Sequence, residues 1–463
     1  MTKLNPAIKV CLALALCTMS AVFSSAQNLM TIANFTGGDG YNPQASLVQG
    51  TDGSFYGTTS GGPPPLLGTV FKVTPAGTLI TLHKFCAGPS CEDGGSPLAG
   101  LIQATNGIFY GTTSGFGAHG GGTLFQITSE GDLTVLYSFC AQAGCVDGSA
   151  PRAPLLQAAN GSLYGTTSQG GLNDGGTVFE ITPTGTLTTI YNFCSVAGCA
   201  DGSSPAAALI QGTNGDFYGT TDGGTIFKLT QSGVLTTLSS IGITPGFTFG
   251  SLVQAADGNF YGATPGDNDY GTVFKMSQAG TLTRLYAFSG TEDGANPVAG
   301  LAQGNDGNFY GITLAGGLGV EEDGTVFRIT PSGALTTLIN FNQANGGFPE
   351  AALIQGTDGN LYGTTDEGGA DNAGTAFKLA VGLKPFVATR PTVGSAGTSV
   401  IILGNNLTGT TAVTFNGTLA TFTVVSSTEV TATVPAGATT GTLEVTTGTG
   451  TLDSNVAFRV LAP

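Results

Sequence analysis

The chain repeats one sequence pattern seven times between Gln27 and Gly382. Each unit contains an apolar phrase such as LIQ, a DG or NG turn, an aromatic phrase such as FYGTT, a GTVFK phrase, a second turn and an LTTLYNF phrase. The period is about 50 residues, which suits one blade of a β-propeller and is too long for a leucine-rich or helical solenoid. The pattern therefore predicts an all-β fold, a ring of seven blades.

The phrases within one unit predict four short strands. They are rich in aromatic and β-branched residues and are bounded by Gly, Asn, Asp and Pro, which disfavours helix. The DG and NG turns suit a tight hairpin between the first two strands, and the second turn suits a hairpin between the last two. Each blade is therefore predicted to be a four-stranded meander. The register is marked by a tyrosine in every unit: Tyr56, Tyr110, Tyr164, Tyr218, Tyr261, Tyr310 and Tyr362.

The two ends of the repeat array predict how the ring closes. A fourth-strand phrase, LMTIANF, lies at residues 29–35, before the first complete unit, whereas the last unit stops at Leu379 without a fourth strand. We expect the N-terminal segment to pair beside residues 374–379 and to remove the two open edges. All tight turns then share one face, and the longer, variable loops share the other. Because loops on rigid scaffolds often carry function, the long-loop face is the predicted binding surface.

Residues 1–26 are predicted to be a secretory signal peptide, followed by a propeller at 27–382 and a smaller domain at 383–463. The leader has Lys3 and Lys9, an apolar stretch from Val10 to Phe23, and small residues before a cleavage point after Ala26. That stretch is too short to favour a spanning helix, so no membrane insertion is expected after cleavage. The mature protein is expected to be exported, to an extracellular, cell-surface or periplasmic location.

Six cysteines of the mature chain recur at one position in three successive units. Each pair has four residues between its members and directly follows the fourth-strand phenylalanine. In an oxidising compartment this repetition favours three local disulfides over a metal site. The predicted bridges are Cys86 with Cys91, Cys140 with Cys145, and Cys194 with Cys199.

Charge narrows the classes of partner. The chain has 13 basic and 29 acidic residues, and removal of the leader leaves a net charge of about −18. Such a surface repels phosphate backbones and anionic lipids, so nucleic acid is not an expected partner. A glycan, a polymer or a surface protein is the expected class of partner, and the protein is expected to be a monomer.

Some acidic residues cluster in the loops between second and third strands, where calcium could find oxygen ligands. Their spacing matches no known calcium loop, and acidic turns also form for backbone reasons alone, so no cofactor is predicted and calcium remains an open alternative. No catalytic motif is present, and no catalytic residue is predicted. The weak metal candidates are Asp267, Asp269, Glu321, Asp323, Asp366 and Asp371.

After Leu379 the composition changes to Thr, Val and Gly with little charge, in short alternating runs typical of a β-sandwich. The expected strands are 399–403, 412–416, 420–425, 429–434, 442–446 and 456–460. With its GTSV, LGNNL, VTFNG and VPAG phrases, the tail resembles an IPT/TIG domain, which is an immunoglobulin-like module.

The repeats themselves resemble those of bacterial choice-of-anchor tandem repeat GloVer-containing proteins. The resemblance rests on phrases such as LIQGTDGNLYGTTDEGG and GTVFRITPSG and spans residues 29–380. It implies an exported, surface-associated protein, and it supplies no catalytic residues.

Two functions are therefore open from the sequence. One is a non-enzymatic binding, adhesion or scaffold protein that acts through the long-loop face. The alternative is a secreted carbohydrate-active enzyme, a glycoside hydrolase or lyase, that uses loop carboxylates.

Overall fold

The computed structural model describes residues 27–88, 90–241, 250–266, 270–318 and 323–461. The predicted signal peptide at 1–26 lies outside the described residues. Strand β1 (Asn28–Asn34) comes first, and the repeats that follow form seven four-stranded antiparallel sheets, numbered here as units 1 to 7.

Each sheet runs from a very short inner strand to a longer outer one. The strands of units 1 to 4 are β2 (Val48–Gln49), β3 (Phe55–Thr59), β4 (Thr69–Val73), β5 (Leu79–Lys84), β6 (Ile102–Gln103), β7 (Phe109–Thr113), β8 (Thr123–Ile127), β9 (Leu133–Ser138), β10 (Leu156–Gln157), β11 (Leu163–Thr167), β12 (Thr177–Ile181), β13 (Leu187–Asn192), β14 (Ile210–Gln211), β15 (Phe217–Thr220), β16 (Thr225–Leu229) and β17 (Leu235–Ser240). The inner strands have only two residues, shorter than the apolar phrases predicted.

Units 5 to 7 keep the same order, but the chain supplies only three strands to the last one. Their strands are β18 (Val253–Gln254), β19 (Phe260–Thr264), β20 (Thr272–Met276), β21 (Leu282–Ala287), β22 (Ala302–Gln303), β23 (Phe309–Thr313), β24 (Thr325–Ile329), β25 (Leu335–Asn340), β26 (Ile354–Gln355), β27 (Leu361–Thr365) and β28 (Thr375–Ala380).

The N-terminal strand completes unit 7, as the strand count predicts. Strand β1 pairs antiparallel with β28, with Leu29 opposite Leu379 and Asn34 opposite Thr375. The pairing contains one register shift, and the third and fourth strands of the other units contain a shift at the same place. A bulge of this kind bends the outer strand and increases its twist. The first and last parts of the propeller thus form a single sheet.

Aromatic side chains join each sheet to the next. The Tyr56 ring of unit 1 packs on Phe109 of unit 2, with ring centroids 4.1 Å apart. The same contact closes the ring, because Tyr362 of unit 7 stacks on Phe55 of unit 1 at 3.9 Å. A second closing contact is made by Phe35, which is fully buried and lies 4.9 Å from Phe71.

A glycine in the second strand makes room for this aromatic layer. A Cβ atom on Gly57 would lie 2.5 Å from the Phe71 ring and 2.9 Å from Leu47, closer than packed carbon atoms approach. The repeated YG dipeptide therefore follows from packing. The nearby turn uses a glycine for a different reason, because Gly53 has a φ of 79°.

The repeated glutamines form a second set of links between units. At six junctions of the described ring, the glutamine Oε1 of one unit accepts a hydrogen bond from a turn N–H of the preceding unit, at 2.9–3.2 Å. Several of these side chains also donate from Nε2 to their own turn, as in Gln103 to the Gly107 carbonyl at 3.0 Å. The bonded pairs are Thr51 with Gln103, Thr105 with Gln157, Ala159 with Gln211, Thr213 with Gln254, Asn305 with Gln355, and Thr357 with Gln49. A structural role for the glutamines is thereby confirmed.

The cysteines pair as predicted, in the loops that leave the fourth strands of units 1 to 3. The Cα atoms within each pair lie 4.0–4.2 Å apart. Two of the loops contain a 3₁₀ turn, at Ala143–Cys145 and Ala197–Cys199. Each bridge closes a small loop at the long-loop face.

The tail forms a β-sandwich with its own core. One sheet has the order β29, β31, β35, β34, the other has the order β33, β32, β36, β37, and β30 pairs parallel with β38. Buried side chains of both sheets, such as Ile402 and Val445, belong to one apolar cluster. The strands are β29 (Ala388–Arg390), β30 (Val393–Gly394), β31 (Ser399–Leu403), β32 (Thr410–Phe415), β33 (Thr418–Leu419), β34 (Phe422–Val424), β35 (Glu429–Thr433), β36 (Leu443–Thr447), β37 (Gly450–Asp453) and β38 (Arg459–Val460), with a 3₁₀ turn at Leu407–Gly409.

The sandwich packs against the face of the propeller that carries the tight turns. Thr428 Oγ1 donates to the Thr51 carbonyl at 2.7 Å, and Asn405 Nδ2 donates to Thr357 Oγ1 at 2.9 Å. Arg390 reaches the innermost strands and donates to Gln103 Oε1 at 2.7 Å. The central channel is therefore covered at this face, and the long-loop face carries its other mouth.

Among the described residues, no helix has the length and apolar character required to span a bilayer.

We expect Phe35→Ala to lower the free energy of unfolding by about 3–5 kcal/mol, because it opens a cavity where β1 meets unit 1. Urea unfolding followed by circular dichroism measures the loss. The matched control is Phe116→Ala, since the Phe116 side chain is 46% exposed. Equal losses in the two variants would show that the N-terminal strand does not hold the ring closed.

We expect the mature protein to have no free thiol before reduction and six after reduction and unfolding, as measured by alkylation and mass spectrometry. Removal of one pair, with Cys194→Ala and Cys199→Ala, is expected to cost about 2 kcal/mol, because the closed loop is small. A reductant should lower the melting temperature of the wild type but not that of a variant lacking all six cysteines. A wild-type melting temperature that ignores the reductant contradicts a stabilising role.

Candidate functional site

A cavity lies at the mouth of the central channel on the long-loop face. Its volume is about 380 Å³, and all seven units contribute residues to its wall. Most of the wall comes from the segments that lead into the inner strands, which in six units read Pro-x-Ala-x-Leu or a close variant. The leucines of these segments, such as Leu47 and Leu101, are buried between sheets and fix the segments in place. The residue after the proline is therefore presented to the cavity in each unit.

This position after the proline is chemically different in every unit in which the structure describes it. Most of its occupants are uncharged, whereas unit 3 has Arg152 and unit 7 has Glu350. The six described residues are Gln44, Leu98, Arg152, Ala206, Val298 and Glu350. The scaffold is repeated, but the side chains at its mouth are not.

A second variable position lies directly after the FYGTT phrase. In units 1 to 3 it is serine, and the hydroxyl donates to a carbonyl of the segment that leads into the inner strand, as in Ser168 to the Ala150 carbonyl at 2.8 Å. Units 4 and 7 have Asp222 and Asp366 instead. Both aspartates keep the backbone bond of that position, to the carbonyls of Ser204 and Phe348 at 3.2 Å. Only the side-chain chemistry has changed.

The two aspartates are incompletely satisfied. Asp366 Oδ2 accepts a hydrogen bond from Asn42 Nδ2 at 2.8 Å, but the buried Oδ1 atom of Asp366 has no hydrogen-bond partner among the described residues. The same holds for Oδ1 of Asp222. A buried polar atom without a partner is unusual in a folded protein and requires an explanation. Here both atoms belong to side chains that replace a satisfied serine.

Burial alters the acidity of the mouth. It raises the pKa of Asp222 to about 6, against the opposing effect of the Arg152 charge. Burial also raises the pKa of Glu350 to about 7, and the nearby Asp366 charge adds to that rise. The pKa of Asp366 is raised chiefly by burial, in spite of the hydrogen bond from Asn42. Three carboxyl groups of the mouth are therefore easier to protonate than exposed ones.

These charged groups lie on two sides of the opening. Arg152 and Asp222 belong to the neighbouring units 3 and 4, whereas Glu350 and Asp366 both belong to unit 7. In a ring of seven, unit 7 is opposite the junction of units 3 and 4. One edge is therefore of mixed charge and the other is acidic. Such an arrangement can bind and orient a polar ligand that has both donor and acceptor groups.

The metal candidates from the sequence are only partly gathered here. Asp366 lies at the mouth, Asp371 is exposed in the loop that follows, and Asp323 is buried near Gly347. Asp267, Asp269 and Glu321 lie outside the described residues. Within the described part of the chain, no group of three or more His, Cys, Asp or Glu side chains could hold a metal ion.

Arg152, Asp222 and Glu350 were not singled out from the sequence. The signal was nevertheless present, because each occupies a position at which the seven units differ. His83 has a structural role instead. Its Nε2 atom lies 2.9 Å from Asp93, in the place where Tyr137 of the next unit donates to Asp147.

Comparison with known proteins agrees with this fold. The model of the Gloeobacter/Verrucomicrobia repeat matches residues 18–224 and again 221–425, and so covers most of the chain. The chain belongs to the Gloeobacter/Verrucomicrobia repeat family. The predicted GloVer resemblance is thereby confirmed, while the likeness of the tail to an IPT/TIG domain stays a prediction.

Solved structures similar to this Gloeobacter/Verrucomicrobia repeat protein share its propeller-like fold at low sequence identity. A catalytically inactive variant of virginiamycin B lyase from Staphylococcus aureus, solved with quinupristin, is 13% identical, with a TM-score of 0.52 over 76% of this chain and 99% of that chain. A putative 6-phosphogluconolactonase from Bacteroides uniformis is 15% identical, with a TM-score of 0.43 over 68% and 87%. Among curated proteins, none matches the chain. At these identities the likeness concerns the fold alone.

We expect the stability contributed by Glu350 to fall as the pH rises from about 4.5 to about 7. Burial raises the pKa of this group in the folded state from 4.5 to about 7, so the folded protein binds the proton more tightly than the unfolded one. Glu350→Gln should therefore gain melting temperature relative to the wild type between pH 5 and pH 8.

The control is Glu130→Gln, because a hydrogen bond from Ser129 lowers the pKa of the exposed Glu130. Its difference from the wild type should change in the opposite direction over the same interval. If the difference between Glu350→Gln and wild type does not depend on pH, the carboxyl group is not buried at the mouth as described.

Proposed function

We propose that this protein is an exported, non-enzymatic binding protein that holds a polar ligand at the mouth of its propeller. The ligand class is the end of a glycan or another polymer, or a segment of a surface protein. The departure of the mouth from the rest of the repeat carries the proposal. Units 1 to 3 satisfy the position after FYGTT with a serine, and units 4 and 7 place Asp222 and Asp366 there at a cost in hydrogen bonding.

The energetic argument is that unsatisfied polar groups destabilise a fold unless they serve something else. A buried oxygen without a partner costs about 1–3 kcal/mol. Serine would avoid that cost in units 4 and 7, because the carbonyl that it bonds in unit 3 has backbone counterparts there. A ligand with hydroxyl or amino groups would supply the missing donors.

Export is supported by the disulfides and by the repeat family. Three bridges in successive units are consistent with an oxidising, extracellular environment. They also tether loops beside the mouth, which favours a preformed site.

A carbohydrate-active enzyme is the second candidate, favoured by one observation. Glu350 is partly buried beside Asp366, and both burial and the neighbouring charge raise its pKa to about 7. Glycoside hydrolases use a carboxyl group with a raised pKa as the general acid, together with a second carboxylate.

One assay separates the two candidates. The mature protein is passed over a panel of neutral, acidic and amino polysaccharides, and both retention and the release of reducing ends are measured. We expect retention without release. The variants Asp222→Ser and Asp366→Ser, which restore the residue of units 1 to 3, should weaken retention by about tenfold each, because each removes charged hydrogen-bond acceptors.

The control is Asp132→Ser, which removes the same charge from an exposed turn on the opposite face. Release of reducing ends that is abolished by Glu350→Gln would establish the enzyme instead. Retention that is the same in the wild type and the mouth variants would place the binding surface elsewhere.

A further inference from the structure

A second cavity lies at the other end of the channel, between the propeller and the sandwich. Its volume is about 440 Å³. The propeller side is formed by inner strands of units 2 to 5, and the sandwich side by residues 389–393 together with Val456, Ala457 and Arg459. The described wall contains two cationic side chains, Arg390 and Arg459, and no carboxylate. That composition is unexpected in a chain with 13 basic and 29 acidic residues.

Both arginines are held by uncharged acceptors. Arg390 donates from Nη1 to Gln103 Oε1 at 2.7 Å and from Nη2 to the Gln49 carbonyl at 2.6 Å. Arg459 donates from Nη1 to the carbonyls of Gly212, at 2.9 Å, and Thr213. A guanidinium group has five N–H donors, so these bonds leave roughly three on each side chain. The two groups are thus positioned but not saturated.

Neither arginine has a counter-charge in the protein. The ion pairs found among the described residues all lie within the propeller repeats, and none includes Arg390 or Arg459. Removal from water lowers the pKa of Arg390 to about 10, and it lowers the pKa of Arg459 as well. A guanidinium group remains charged even so, and a buried charge is costly unless it is paired.

We propose that the cavity between propeller and sandwich binds a small oxyanion, held by the guanidinium groups of Arg390 and Arg459. The planar donor fork of arginine matches the oxygen atoms of phosphate, sulfate and carboxylate groups. The cavity is large enough for such an ion with its remaining water. The anion supplies the negative charge that the wall lacks, and so it joins β29 and β38 of the sandwich to the channel.

Isothermal titration of the mature protein with inorganic phosphate, in a chloride buffer, tests the site. We expect saturable binding of one ion. Arg459→Gln should weaken the affinity by about tenfold, because it removes one of two charged donors. Arg284→Gln is the matched control, since Arg284 is exposed on β21 of unit 5, and it should leave the affinity unchanged. Parallel titrations with sulfate and acetate distinguish a doubly charged oxyanion from a carboxylate group.

A second variant keeps both arginines and their contacts. Val456 is 53% exposed and lines the cavity, so Val456→Glu should fold and should supply a carboxylate inside the site. We expect this variant to bind phosphate more weakly than the wild type without a loss of melting temperature. The proposal is overturned if the wild type shows no saturable binding, if Arg284→Gln weakens binding as much as Arg459→Gln, or if Val456→Glu binds phosphate as the wild type does.

Discussion

The pairing of β1 with β28 is the contact on which the rest of the propeller depends. Strands from opposite ends of the propeller complete one sheet, and Phe35 and Phe55 of the first part pack against Phe71 and Tyr362 respectively. Without that sheet, units 1 and 7 would each expose an edge and an aromatic layer to water. Because both mouths of the channel are assembled from many units, the two cavities also depend on this closure.

Much of this architecture could be predicted from the chain because its physical causes repeat. The YG dipeptide, the DG and NG turns and the glutamines each answer one local requirement, of packing, φ or hydrogen bonding, and each requirement recurs in every unit. The missing fourth strand then followed from counting. In the sandwich the expected run 399–403 matches β31, whereas β29, β30, β33 and β37 were missed. Three of these four have only two or three residues, too few for a pattern.

The functional mouth could not be predicted in the same way, because its residues are exceptions to the repeat. Glu350 and Arg152 each occur at a position that has no shared chemistry, and Asp222 resembles any other acidic loop residue until the serine hydrogen bond of units 1 to 3 is known. Their proximity arises only when the ring closes. Similarly, the sequence did not indicate that Arg390 would reach Gln103, since 287 residues separate the two.

Covering of the turn face by the sandwich has a consequence for the geometry of access. Many open rings can be threaded by a long molecule, but this one is stoppered where Arg390 meets the inner strands. A linear polymer could enter the remaining opening only by its terminus and would have to withdraw along the same path. The depth of the well, rather than its width, would then decide how many building blocks of such a chain are read.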